Sequence, residues 1–248
     1  MAYIDTAVML NGEPFKDNDN TQPTWQGTIR LSTQDEINAY VKLLDARSLM
    51  VECICSILGR KLGLPIPEPF LVEISHQVLP DIVSEAEKKK IAFGSRDANY
   101  PSLSRRITGT NKANKGLLHD KLLHFEQTSD VGVFDEWIVN DDRHEGNVLF
   151  DGRNSFSFID HDRALSKDCL HKEISPANWI FKLLKDNQRV VEPSRIDNFI
   201  ATCNAVETQL LTDDIPRLSS HPMLIEMATF ITDRVEYLQQ LVQKRLAA

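Results

Sequence analysis

Asp142, Asn147 and Asp160 are the residues whose types and spacing best suit chemistry. Asp142 and Asn147 stand five positions apart in Asn140-Asp141-Asp142-Arg143-His144-Glu145-Gly146-Asn147, and Asp160 follows in Phe158-Ile159-Asp160-His161-Asp162. Phosphoryl transfer needs a carboxylate to orient the attacking hydroxyl and hard oxygen donors to hold Mg²⁺ against nucleotide phosphates. An Asp, an Asn five positions later and a further Asp beyond the next hairpin meet that need. The first carboxylate acts as base, and the carboxamide and second carboxylate as metal ligands. Asp141 is one residue out of register for the base. Taken singly, each of these residues also fits ordinary turn chemistry. The ordered set is far more specific than any member.

Those side chains need elements to position them. An apolar helical face with Phe134, Trp137 and Ile138, on a helix beginning near Asp130, delivers the polar loop. Val148, Leu149 and Phe150 read as a strand, Asp151-Gly152 as a hairpin turn, and Phe156, Phe158 and Ile159 as the returning strand. Upstream, strands are expected over 7–10, 25–31 and 37–44, with Lys42 near the end of the third. A lone strand lysine is commonly a surface residue. In phosphotransfer sites it reaches the α/β-phosphates and pairs with a Glu on the next helix. Such a helix follows, with Asp45 or Ser48 to cap it, Gly63 to stop it and an apolar face of Leu49, Ile54, Ile57, Leu58 and Leu62. Glu52 is its only acidic residue beyond Asp45, so a Lys42–Glu52 salt bridge is expected. Pro65 and Pro67 hold the approach to a strand over 70–74 extended.

Residues 81–90 read as a charged helix or loop. Residues 96–115 carry Arg96, Arg105, Arg106, Lys112 and Lys115, either a surface insertion or a basic segment that attracts an acidic substrate. A helix over 117–125 turns Leu118, Leu122 and Phe125 inward. Ser175-Pro176 and Pro193-Ser194 each read as helix openings. A last helix is expected over 222–245 with the stripe Leu224, Met227, Ile231, Val235, Leu238 and Val242.

With 248 residues and 42% hydrophobic content, the chain can build one bilobed domain or two small ones. A net charge of -8 argues against a dedicated nucleic-acid binder and against a polybasic membrane surface. Four cysteines without zinc or disulfide-framework spacing point to a reducing cytoplasm. The first residues lack a basic region, so no signal peptide is expected, and no apolar run approaches a membrane span.

NDDRHEGNVLF followed by FIDHDRAL resembles the HipA-like branch of the protein-kinase-like superfamily, in particular its compact stand-alone members. It is similar, more distantly, to the Asp-Arg-His-x-x-Asn and Ile-Asp-Phe-Gly segments of phosphoinositide kinases. Aminoglycoside phosphotransferases usually carry His-Gly where this chain has Asn140-Asp141, which argues against that branch. The resemblance implies an α+β, bilobed protein-kinase-like fold, with a sheet-plus-helix N-lobe over 1–93 and a helical C-lobe over 94–248. Asp142 would be the base, Asn147 and Asp160 the metal ligands, and Lys42 with Glu52 would set the phosphates. His144 would support the loop. Phe93-Gly94-Ser95-Arg96 would form the hinge, with Phe93 and Gly94 bordering the adenine. No Gly-x-Gly-x-x-Gly is present. Residues 17–22 (DNDNTQ) would stand in for the phosphate-covering loop, with Thr21 and Gln22 near the phosphates, although its two aspartates oppose a triphosphate. Asp162 is either an outer carboxylate of the site or a turn residue. The implied cofactors are ATP and Mg²⁺. The implied acceptor is a Ser or Thr of a protein, in a toxin-type regulator with an antitoxin or regulatory partner, and without nucleic-acid or membrane contact. The alternatives are an aminoglycoside-type small-molecule phosphotransferase and a catalytically weak kinase-fold binding module.

Overall fold

The computed structural model describes residues 4–16, 22–108, 112–189, 191–206 and 208–247. Five strands come first: β1 (Asp5–Pro14), β2 (Thr24–Leu31), β3 (Glu36–Lys42), β4 (Pro69–Ser75) and β5 (Lys89–Arg96), with helix α1 (Ala46–Lys61) between β3 and β4. They close into a barrel in the order β1-β2-β3-β5-β4. Closure comes from parallel pairing of β1 with β4, from Asp5↔Phe70 to Val8↔Glu73, while the other pairs are antiparallel. Alternate side chains fill the interior, among them Met9, Trp25, Ile29, Val41, Phe70 and Val72. With Val41 pointing in, its neighbour Lys42 points out of the barrel.

α1 begins as expected. The Asp45 carboxylate accepts from the Arg47 and Ser48 amides at 2.8 and 3.1 Å. Gly63, at φ +77°, takes the left-handed step that ends the helix. Its burial departs from a single apolar face: Leu49 through Gly59 are all buried. The helix is packed between the barrel on one side and helices of the second half on the other, and such a helix is covered all round. At Gly59 a Cβ would lie 2.2 Å from Ile66 Cδ1 and 3.2 Å from Phe134 Cζ, so a larger residue would have to displace the Ile66 side chain.

The second half holds α2 (Leu103–Ile107), α3 (Lys112–His124), α4 (Thr128–Trp137), the hairpin β6 (Val148–Phe150) and β7 (Phe156–Phe158), then α5 (Trp179–Asp186), α6 (Pro193–Ala205), α7 (Pro222–Val235) and α8 (Leu238–Ala247). Every residue of α4 is buried. It is the axis on which α3, α5, α6, α7 and α8 pack. Gly152 turns the hairpin at φ +90°.

Three sequence expectations are corrected. Residues 81–90 are turns only as far as Lys88. Lys89 already opens β5, where its ammonium meets Glu73 across the strand pair at 3.0 Å. Ser175-Pro176 does not open a helix, because the Ser175 amide and hydroxyl are both taken by Glu136 at 2.7 and 3.0 Å. Asn178 caps α5 instead, accepting from the Phe181 amide at 3.1 Å. The last helix is two: a tight turn, with the Tyr237 amide donating to Arg234 O at 3.0 Å, separates α7 from α8. Tyr237 is held there by the Lys172 ammonium 5.0 Å from its ring centroid, and α8 is redirected so that Arg245 reaches the buried Glu136 at 3.1 Å. Among the described residues no helix is long and apolar enough to cross a membrane. The four cysteines are free and buried.

Candidate active site

α4 hands the chain to the polar loop through Val139, at φ +54°, an uncommon conformation for a β-branched residue. The loop is organised from below by Arg143, which is 3% exposed. Its Nε and Nη2 donate to the two oxygens of Asp135 on α4, each at 3.0 Å, a bidentate fork. Its Nη1 donates to Asn147 O at 3.1 Å and to Ile159 O at 2.6 Å. One guanidinium thus ties the end of the polar loop to the end of the hairpin's second strand. Asn140 adds a bond from Nδ2 to Asp135 at 2.9 Å.

The upper side of the loop is fixed as well. His144 accepts from the Gly146 amide through Nδ1 at 2.9 Å, the supporting role the sequence suggested. Glu145 is bound by Lys115 and His119 of α3, each at 2.8 Å. Burial pushes the Glu145 carboxyl upward, but those two partners together bring it below its ordinary value. Asn147 donates from Nδ2 to Asp142 O at 3.0 Å, which leaves its amide oxygen as an acceptor. The Asp142 carboxylate is about one-third exposed and meets Arg163 Nη1 at 3.2 Å.

Lys42 crosses from the barrel to this loop. Its Nζ lies 2.7 Å from Oδ1 of Asp160. The expected Lys42–Glu52 salt bridge is therefore corrected: the Lys42 ammonium pairs with Asp160. Glu52 Oε2 instead accepts the backbone N–H of His161 at 2.5 Å. Glu52 still acts on Lys42 through space. Burial lowers the Lys42 ammonium, but the charges of Asp160, Glu52 and Asp162 outweigh it and hold the group above its ordinary value. Burial likewise works to raise Asp160, and Lys42 with His161 and Arg143 brings it below the usual carboxylate range. Asp162 has no such partner. Burial, then the negative charge of Asp160, push it from 3.8 to about 7, with Glu52 and Asp142 adding to the shift and Lys42 opposing it.

Lys42, Glu52, Phe93, Asn147 and Asp160 line one cleft between the barrel and the second half. Ile66, Tyr100, Leu149 and Ile159 supply apolar wall, and Phe15, Tyr40 and Arg105 stand there as well. The Phe15 ring meets Tyr40 edge-on at 4.9 Å, and the Arg105 guanidinium lies 4.6 Å from its centroid. Two expected nucleotide residues, Gly94 and Gln22, are not among the side chains lining the cleft. Strand alternation turns Gly94 toward the barrel interior, where a Cβ would meet Val72 Cγ2 at 2.5 Å. Gln22 lies in an adjoining groove with Pro23, Trp25 and Leu79, and Phe15 and Thr24 line both that groove and the cleft. Thr21 and residues 17–20 fall outside the described residues.

Sequence reasoning passed over Asp135 and Arg143. The signal was partial: the helix carries Asp130, Asp135 and Glu136 among Val131, Val133, Phe134 and Trp137, and a carboxylate buried there needs a cation, but nothing local says which of them Arg143 takes.

The donors suit Mg²⁺. Asp160 Oδ1 is buried, compensated by charge but without a well-directed hydrogen-bond donor. It joins the Asn147 carboxamide oxygen to give a hard-oxygen set of the kind Mg²⁺ takes alongside phosphate oxygens. Among the described residues, no group of three or more His, Cys, Asp or Glu side chains forms a self-contained metal cluster.

A strand lysine, an Asp-x-x-x-x-Asn loop and a post-hairpin aspartate, brought together beside a cleft, define the class of kinase-type phosphotransferases. The family model for HipA-like kinases matches residues 32–217, and the chain belongs to that family. Among solved structures, the crystal structure of the proinflammatory kinase CtkA of Helicobacter pylori is similar, with a TM-score of 0.53 and 12% identity over 90% of this chain and 94% of that one. At that identity the likeness bears on the fold. No curated protein matches the chain.

Proposed function

We propose that the cleft binds ATP with Mg²⁺ and that the protein transfers the γ-phosphate to the hydroxyl of a Ser or Thr in another protein. In this reading the barrel with α1 and the helical part are the two lobes of a protein-kinase-like fold, and the expected boundary at 93/94 moves to the end of β5 at Arg96. The observation that carries it is the 2.7 Å contact between Lys42 of the barrel and Asp160 after the hairpin. That contact joins the phosphate-binding cation and the metal-binding carboxylate that this chemistry requires at one point.

Each residue then has a distinct task. Lys42, kept charged by the surrounding carboxylates, neutralises phosphate oxygens. Asn147 and Asp160 would hold Mg²⁺, which when bound offsets the charge of the transferring phosphoryl group. Asp142, the more exposed carboxylate, orients the incoming hydroxyl and accepts its proton. Arg163 holds Asp142 at 3.2 Å and yields when the acceptor arrives. The apolar walls at Ile66 and Phe93 sandwich the adenine. Family membership supports a toxin-type regulatory role with a cognate antitoxin or regulatory protein.

Transfer from γ-labelled ATP with Mg²⁺ tests this, with native protein beside Asp142→Ala and Asp160→Ala and nucleotide binding followed by thermal shift. Turnover or self-labelling is expected in the native protein and absent from both variants. An acceptor panel of proteins, metabolites and antibiotics then decides the substrate. Labelling of a small molecule alone overturns the protein-acceptor part. Nucleotide binding without turnover across the whole panel points to a binding module.

A further inference from the structure

The geometry points to Arg143, held by Asp135, and Glu52 as positioning residues that fix Asp160 from either side. The inference rests on the phosphotransfer reading and assigns parts of its machinery that the motif alone does not.

Asp160 has φ +64°. Asp is one of the non-glycine residues that tolerate this left-handed backbone, so what fixes it here is the holding of its neighbours. Here both flanking peptide groups are held by buried charged side chains. On one side Arg143 Nη1 donates to Ile159 O at 2.6 Å. On the other, Glu52 Oε2 accepts the His161 N–H at 2.5 Å. Both are charge-assisted hydrogen bonds, the stronger kind. The same Arg143 nitrogen reaches Asn147 O at 3.1 Å, so one group sets the spacing between the two residues assigned to Mg²⁺. Asp135 removes the guanidinium's freedom by occupying its other edge at 3.0 Å.

Glu52 sits on α1, so this bond transmits the position of α1 to Asp160. Its partner is the peptide N–H after the metal-binding residue, and Lys42 is left to Asp160 itself. The His161 ring takes no part in the anchoring: neither of its nitrogens has a hydrogen-bond partner, and Nδ1 stands 3.7 Å from Glu52. The work is done through backbone groups, which is why it is invisible in the residue types.

Glu52→Gln separates the two roles available to Glu52, since Gln keeps an acceptor oxygen for the His161 N–H and loses the charge that acts on Lys42. The Mg²⁺ concentration for half-maximal ATP turnover is measured in native protein, Glu52→Gln, Glu52→Ala and Arg143→Lys, together with kcat, melting temperature and affinity for an ATP analogue without Mg²⁺. Groups that orient metal ligands typically change metal affinity 10–100-fold when removed. Glu52→Ala and Arg143→Lys are expected to raise the Mg²⁺ requirement by about tenfold or more, with Mg²⁺-free nucleotide affinity little changed. Glu52→Gln is expected to lower kcat through the lost charge toward Lys42, and to raise the Mg²⁺ requirement clearly less than Glu52→Ala does. An equal rise in the Mg²⁺ requirement of Glu52→Gln and Glu52→Ala overturns the inference, because charge toward Lys42 is then what counts. So does a fall in melting temperature with an unchanged Mg²⁺ requirement. If the native protein itself neither binds nor turns over ATP, the phosphotransfer reading fails first and the inference falls with it. That outcome is visible before any variant is made.

Discussion

Replacing Asp135 with Ala tests how the polar loop is held. Both side chains of the Asp135–Arg143 pair are fully buried. The substitution removes both acceptors from Arg143 Nε and Nη2 and leaves only the Asn147 and Ile159 carbonyls on Nη1. The guanidinium cannot neutralise itself, so a buried positive charge remains with half its donors unmet. Breaking a buried pair in this way costs about 3–5 kcal/mol. In a protein of this size each kcal/mol moves the melting temperature by roughly 2–4 °C, so a fall of about 6–20 °C is expected. A calorimetric or fluorescence melt reads it directly. The double variant Asp135→Leu with Arg143→Met removes the orphaned charge and should recover most of the lost stability. It should not recover turnover, because Met supplies no donor to Ile159 O. An Asp135→Ala protein that melts within about 2 °C of native would refute the reasoning, since the guanidinium would then have to be hydrated or free to leave its site.

Lys42→Met should reduce turnover by at least about a hundredfold, the scale of a preorganised electrostatic contact, in the γ-phosphate transfer assay. The metal-free protein should lose stability as pH rises. Asp162 holds its proton in the fold up to about 7, whereas in the unfolded chain it ionises near its ordinary 3.8. Its contribution is therefore full below pH 3.8 and is lost progressively as pH rises through 7. Melts between pH 5 and 8 should show this slope, and Asp162→Asn should flatten it. Gly152→Ala should cost at least about 1 kcal/mol, measured by urea unfolding. Its φ is +90°, and a Cβ would stand 3.2 Å from the Arg106 guanidinium nitrogens.

Local chemistry made much of this molecule legible. The cap at Asp45, the stop at Gly63, the hairpin turn at Asp151-Gly152 and the strand carrying Lys42 each depend on a few neighbouring residues, and the structure has all of them. What stayed hidden depends on distant partners. Nothing near Glu52 says that its oxygen meets the His161 peptide 109 positions away. Charge type alone offered Lys42, and that was the wrong partner. Ser175 looked like a cap because the sequence does not reveal that Glu136 claims it. The break between α7 and α8 escaped for the same reason: its apolar stripe runs through the turn, and the contacts that redirect the chain come from Lys172 and Glu136. The loop and hairpin that carry Asp142, Asn147 and Asp160 were readable because their signals lie within a few neighbouring residues. The facing of Gly94 was hidden because which face of a strand looks into the cleft is decided by the barrel's closure.

That closure limits how another protein can attach. Each strand of the barrel already has a neighbour on both sides, with the parallel β1–β4 pair sealing the ring. An extended segment of a partner needs an open row of backbone donors and acceptors to join a sheet, and among the described residues the closed ring leaves such a row only on short stretches, among them β1 beyond Val8 and β5 before Phe93. A substrate loop or a regulatory chain therefore finds little edge to extend, and is better recognised through side chains or through the helical half and its rim around Asp142. Mutations that weaken such a partner should accordingly map to surface residue identity and leave the backbone pairing of the barrel untouched.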